Sequence, residues 1–183
     1  MGTTKRLTLS AVMIALALAL SYAERLIPLQ FVIPLPGVKL GLANIVTLVA
    51  LYLLGARSAF IILCIRCLLG SMFGGGITGL AFSLTGGLLA MLTMTCGRKC
   101  KPLSVYGVSI LGAAAHNIGQ ICAAMVLMRS YYVAAYLPYL LLVGLFTGFA
   151  TAAAVAGVLK ILSAERFGFS ETSNRTQNTE ETI

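Results

Sequence analysis

Six stretches of this chain are apolar over about the length a helix needs to cross a bilayer, which leaves little sequence for anything but a membrane bundle. A hydrocarbon core about 30 Å thick takes roughly 20 helical residues at a rise of about 1.5 Å each. The segments are residues 7–23, 38–54, 58–73, 77–95, 104–128 and 131–162. Composition agrees: 59% of the 183 residues are hydrophobic, only 10% are charged, and mean hydropathy is +0.97. Backbone polar groups in lipid must be satisfied within their own segment. The expected fold is therefore all-α, a polytopic six-transmembrane-helix bundle over residues 1–163. A polar, disordered tail follows over 164–183, rich in Thr, Asn and Glu. The third segment is short and the last over-long, so the first turns of the last, with Pro138 in them, are expected to bend or lie in the interface.

The net charge of +8 would suit a nucleic-acid partner if the basic residues shared one face, but they flank the apolar runs instead. Nucleic acid is thereby disfavoured, and the charges orient the bundle. Lys5, Arg6, Arg57, Arg98, Lys99, Lys101, Lys160 and Arg166 fall on alternate connections, whereas the opposite connections hold only Arg25, Lys39 and Arg129. The positive-inside rule makes the first set cytoplasmic and puts both termini inside. Tyr131, Tyr132, Tyr136 and Tyr139 then mark the outer boundary. The first segment also has the look of a cleaved signal peptide ending at Ser21-Tyr22-Ala23, but its removal would leave an odd number of spans. The five cysteines, Cys64, Cys67, Cys96, Cys100 and Cys122, read as free thiols, and no metal site is expected.

Against this background Arg66 stands out, a cation inside an apolar run, where an ionisable residue is by default a site hypothesis. Gly74, Gly75 and Gly76 follow it before the fourth segment, and backbone N–H groups at a helix start beside a guanidinium suit an anion. The competing reading makes the glycines a plain turn, with Arg66 reaching the headgroups or pairing with Glu24. The single histidine, His116, lies with Asn117 and Gln120 on one side of the fifth segment, either to hydrogen-bond a solute or to tie helices together. Ala11, Ala15, Ala19 and Ala23 form a stripe of methyl groups at every fourth residue of the first segment, suited to close helix packing, within the bundle or against a partner subunit. The connection over residues 26–38 contains Pro28, Pro34, Pro36 and Gly37, cannot be one helix, and reads as a lid over an outward-facing pocket or as a plug.

Catalysis by this chain is not expected. Its five acids are Glu24, Glu165, Glu171, Glu180 and Glu181, four of them in or beside the tail, and there is no aspartate to hold a magnesium diphosphate. No cofactor is implied, and the phosphate-loop pattern of an ATPase is missing.

The strings PLPGVKLGLANIVTLVALYLLG, RCLLGSMFGGG, FSLTGGLLAMLTM and AAAHNIGQ together resemble the bacterial Gx transporter family, also labelled heptaprenyl diphosphate synthase component I. That family is similar in turn to the S components of energy-coupling factor transporters. The resemblance implies a multi-pass protein of the bacterial cell membrane that captures a small anionic, isoprenoid-related or vitamin-like substrate from outside. It implies an alanine-rich first helix docked on a transmembrane coupling subunit, with ATPase subunits supplying energy. Under the second label it implies a non-catalytic membrane component of heptaprenyl diphosphate synthase.

Overall fold

The computed structural model describes residues 2–26, 39 and 41–180, with only the backbone described for Arg25, Gly74, Gly75 and 163–180. The proline-bearing lid connection lies outside these residues apart from Leu26. The architecture is all-helical, as the apolar runs require: α1 (Thr3–Arg25), α2 (Asn44–Leu54), α3 (Ala56–Gly70), α4 (Gly76–Lys99), α5 (Val105–Met128) and α6 (Leu137–Glu180). A π-helical turn, Ser71–Gly75, joins α3 to α4, and a 3-10 turn, Tyr131–Tyr136, precedes α6.

Five helices are long and apolar enough to cross a membrane, and α2 is the exception. Among the described residues of the expected second span over 38–54, only the last 11 are helical, about 16 Å or half the hydrocarbon thickness. Gly41 is the physical reason. It adopts φ +84°, and a Cβ there would lie 3.0 Å from Asn44 Nδ2 and 3.2 Å from His116 Cδ2, so the chain turns before the helix can start. The count of six full spans is therefore not reached among the described residues; there are five long helices and one half-length helix, which packs against α1, α3, α4 and α6.

This half-helix is the most enclosed element, with Val46, Leu48, Ala50 and Leu51 buried against Ile62, Leu63 and Met94. Its C-terminal carbonyls, which a helix end leaves orphaned, are met by two arginines from other helices. Arg6 Nη2 donates to Leu54 O at 3.0 Å, and Arg98 donates to Leu51 O while stacking on the Tyr52 ring, 4.9 Å from its centroid. These bonds bring the start of α1, the α2–α3 turn and the end of α4 to one end of the bundle, which carries Lys5, Arg6, Arg57, Arg98 and Lys99.

Helices α4 and α5 approach almost backbone to backbone. A Cβ on Gly119 would sit 2.7 Å from Thr85 O, and one on Gly86 would sit 2.9 Å from both the ring and the carbonyl oxygen of His116. Between α5 and α6, Ser109 Oγ donates to Gly148 O at 2.7 Å and Asn117 Nδ2 to Leu140 O at 2.6 Å. Such small-residue seams and side-chain bonds hold helices where lipid supplies no hydrophobic drive.

Candidate functional site

The start of α2 stands inside the bundle, and polar side chains from four other helices converge on it. Arg66 belongs to the face of α3 that also carries Ala59, Ile62 and Leu63, so helical periodicity turns it inward with the core. It is only 6% exposed. Its Nη2 donates to Asn44 Oδ1 at 3.1 Å, at the first residue of α2, and its Nε has no hydrogen-bond partner among the described residues.

On α5, His116 and Gln120 are one turn apart and joined, with Gln120 Nε2 2.9 Å from His116 Nε2. The imidazole packs against Gly41 and Gly86, and its Nδ1 makes no hydrogen bond among the described residues. Gln120 also accepts from the Lys39 backbone N–H at 3.4 Å, which straps the stretch before α2 across α5. The Lys39 ammonium reaches α4 and donates to Ser83 Oγ at 2.9 Å. From the end of α1, Glu24 turns inward and its Oε1 accepts the Gly41 N–H at 2.5 Å.

Lys39 and Arg66 both act on Glu24 electrostatically, so this one carboxylate is shared between two cations. Among the described residues no ion pair within 4.0 Å joins Arg66 to Glu24, so the guanidinium is answered by a neutral amide. A positive charge in a low-dielectric interior attracts an anion far more strongly than the same charge does at a surface.

Of the residues singled out in the sequence, Arg66, His116 and Gln120 come together around Gly41 and Asn44. Asn117, expected on the same side, instead commits its amide nitrogen to α6. Gly76 is exposed, a Cβ on it would meet nothing within 4 Å, and its N–H is donated to Ser71 O, because the π turn carries the hydrogen-bond ladder through Gly75. Gly75 and Gly76 thus belong to the turn that joins α3 to α4. Ala11, Ala15, Ala19 and Ala23 are all exposed, while Met13, Ala17, Ser21 and Glu24 form the buried face of α1. The alanine stripe is thus on the outside of the bundle.

Sequence reasoning missed Lys39 and Asn44, and it had Glu24 only as a partner for Arg66. The signal was present: Lys39 is a lone cation between a proline-rich stretch and an apolar helix, a place where an unwound segment can turn a charge inward. No curated protein and no solved structure matches the chain. The model of the family described as heptaprenyl diphosphate synthase component I matches residues 13–158, which takes in every residue of the cluster, and the chain belongs to that family.

Proposed function

We propose that the protein is the substrate-binding membrane subunit of an importer in the bacterial cell membrane, capturing a small anionic solute from outside. The observation that carries this reading is the Arg66 guanidinium, buried in the bundle with a neutral partner and an unpartnered Nε. Intramembrane cations are otherwise paired or water-exposed. The half-helix adds to it, since a helix that begins inside the membrane turns its positive end toward the same point. Lys39, Gln120 and His116 supply further donors around that point, with no role for catalysis. The exposed alanine stripe on α1 is the surface for a coupling subunit, and ATP hydrolysis belongs to partner ATPases.

Native mass spectrometry of the purified protein tests this reading by detecting a retained small anion, which Arg66→Ala is expected to release while helix content and thermal unfolding stay those of a folded protein. A full complement of the same anion in Arg66→Ala would remove the guanidinium from the site.

The family description favours a second reading, a non-catalytic membrane component that assists a soluble heptaprenyl diphosphate synthase. It predicts co-purification with that enzyme and altered product chain length on deletion, with no uptake defect.

A further inference from the structure

Helices α3 and α4 touch at two levels and then leave a gap. They meet where Cys67 Sγ donates to Ser83 O at 3.5 Å, and where a Cβ on Gly87 would sit 2.7 Å from Leu63 Cδ1. Between that contact and the α2–α3 turn lies a groove of about 640 Å³, lined by Arg57, Phe60 and Ile61 on α3 and by Leu88, Leu92 and Thr95 on α4. Leu88 to Thr95 is two helical turns, about 10 Å, which reaches well into one leaflet. Phe60, Ile61 and Leu92 are exposed, so the groove opens sideways to the bilayer. Its charged member is Arg57, at the end of the bundle that the positive-inside rule makes cytoplasmic.

We infer that this groove is a lipid site, holding an acyl chain of an anionic phospholipid of the cytoplasmic leaflet with its phosphodiester at Arg57. The inference does not rest on solute binding. Charge complementarity selects the occupant. Basic pockets between transmembrane helices on the cytoplasmic side suit anionic headgroups. One guanidinium matches the single charge of a phosphodiester. A prenyl diphosphate carries more charge than Arg57 answers, and the nearby Arg98 is committed to Leu51 O and the Tyr52 ring. The upper end of the groove is closed by Leu63 and Gly87, and a Cβ on Gly87 would be 3.7 Å from Arg66 Nη2, so the lipid chain would end against the wall of the polar cluster.

The chain contains no tryptophan, so Phe60→Trp places a single tryptophan in the groove, excited selectively over the tyrosines. In vesicles of dioleoylphosphatidylcholine with increasing brominated lipid, brominated phosphatidylglycerol is expected to compete for this site about fivefold better than brominated phosphatidylcholine, the step that one basic residue confers near an anionic surface. The preference should vanish when Arg57→Gln is added, and Phe146→Trp, on the exposed face of α6, should show none. Equal quenching by both lipids, or a preference that survives Arg57→Gln, overturns the proposal. Relief of quenching by added farnesyl diphosphate would assign the groove to prenyl diphosphates instead. Quenching by neither lipid, with a dimer in the native mass spectrum, would assign it to a second copy of the chain.

Discussion

The Arg66 guanidinium donates to the side-chain oxygen of Asn44 at 3.1 Å, so a full positive charge inside the helix bundle is met by an uncharged amide at the first residue of a half-length helix. A structural arginine inside a bundle is commonly paired with a carboxylate, and under the proposed function the neutral amide here leaves the guanidinium to be answered by an anionic solute.

Asn44→Asp therefore separates the structural from the receptive role. A carboxylate at this distance supplies the missing counter-charge, so the variant should unfold at the wild-type temperature or above and yet lose the anion retained on purification. Asn44→Ala, by contrast, leaves Arg66 without its acceptor and should cost about 1–3 kcal/mol in equilibrium unfolding in mild detergent. Retention of the anion by Asn44→Asp would show that the charge of the cluster does not govern binding.

Gly86 and Gly79 lie two turns apart on α4 but face different neighbours. A methyl group at Gly86 would press within 2.9 Å of the His116 ring and carbonyl, and the ring is held by Gln120, so Gly86→Ala should destabilise by about 1–3 kcal/mol. At Gly79 a Cβ meets nothing within 4 Å, and Gly79→Ala should be neutral or gain up to about 1 kcal/mol of helix propensity. Paired unfolding curves check the contrast.

Much of the fold was legible because lipid permits so few solutions. The boundaries of the fifth segment were read to within a residue, since Ser104 caps α5 by accepting the Gly107 N–H at 3.3 Å and Arg129 ends it with φ 49°. The second segment misled because hydropathy does not register a turn. Gly41 breaks a stretch that is apolar on both sides of it. The site was half legible for a similar reason. Arg66 and His116 announce themselves as polar residues in apolar runs, whereas Lys39 counts as an outer-loop charge until the chain around Gly41 is seen to fold inward. Asn117 shows the reverse error, because neighbours at i and i+1 point about 100° apart on a helix and need not share a partner.

Asn117 ought then to behave as a tie and not as a ligand contact. Its bond to Leu140 O, at 2.6 Å, joins α5 to α6, and Asn117→Ala should lower stability by about 0.6–1.7 kcal/mol, the range for interhelical side-chain bonds in membranes. The solute bound per folded molecule should not change. A variant of normal stability that has lost its solute would return Asn117 to the binding site.

The alanine stripe yields the test of assembly. Ala17 is buried while Ala15 and Ala19 are exposed, so the stripe at 11, 15, 19 and 23 contributes nothing to the packing of the bundle itself. Adding bulk there has no internal neighbour to disturb, and Ala15→Leu should leave unfolding within about 0.5 kcal/mol of wild type. A partner helix seated against the methyl groups would be pushed outward by the same change, because close approach is what small residues permit. Pull-down from native membranes should accordingly recover membrane-embedded partners with the wild type and lose them with Ala15→Leu, while Leu16→Ala, which trims an exposed neighbour without adding bulk, should leave recovery intact. Partners recovered equally with Ala15→Leu would mean that the stripe faces lipid alone and that any coupling subunit docks on another face of the bundle.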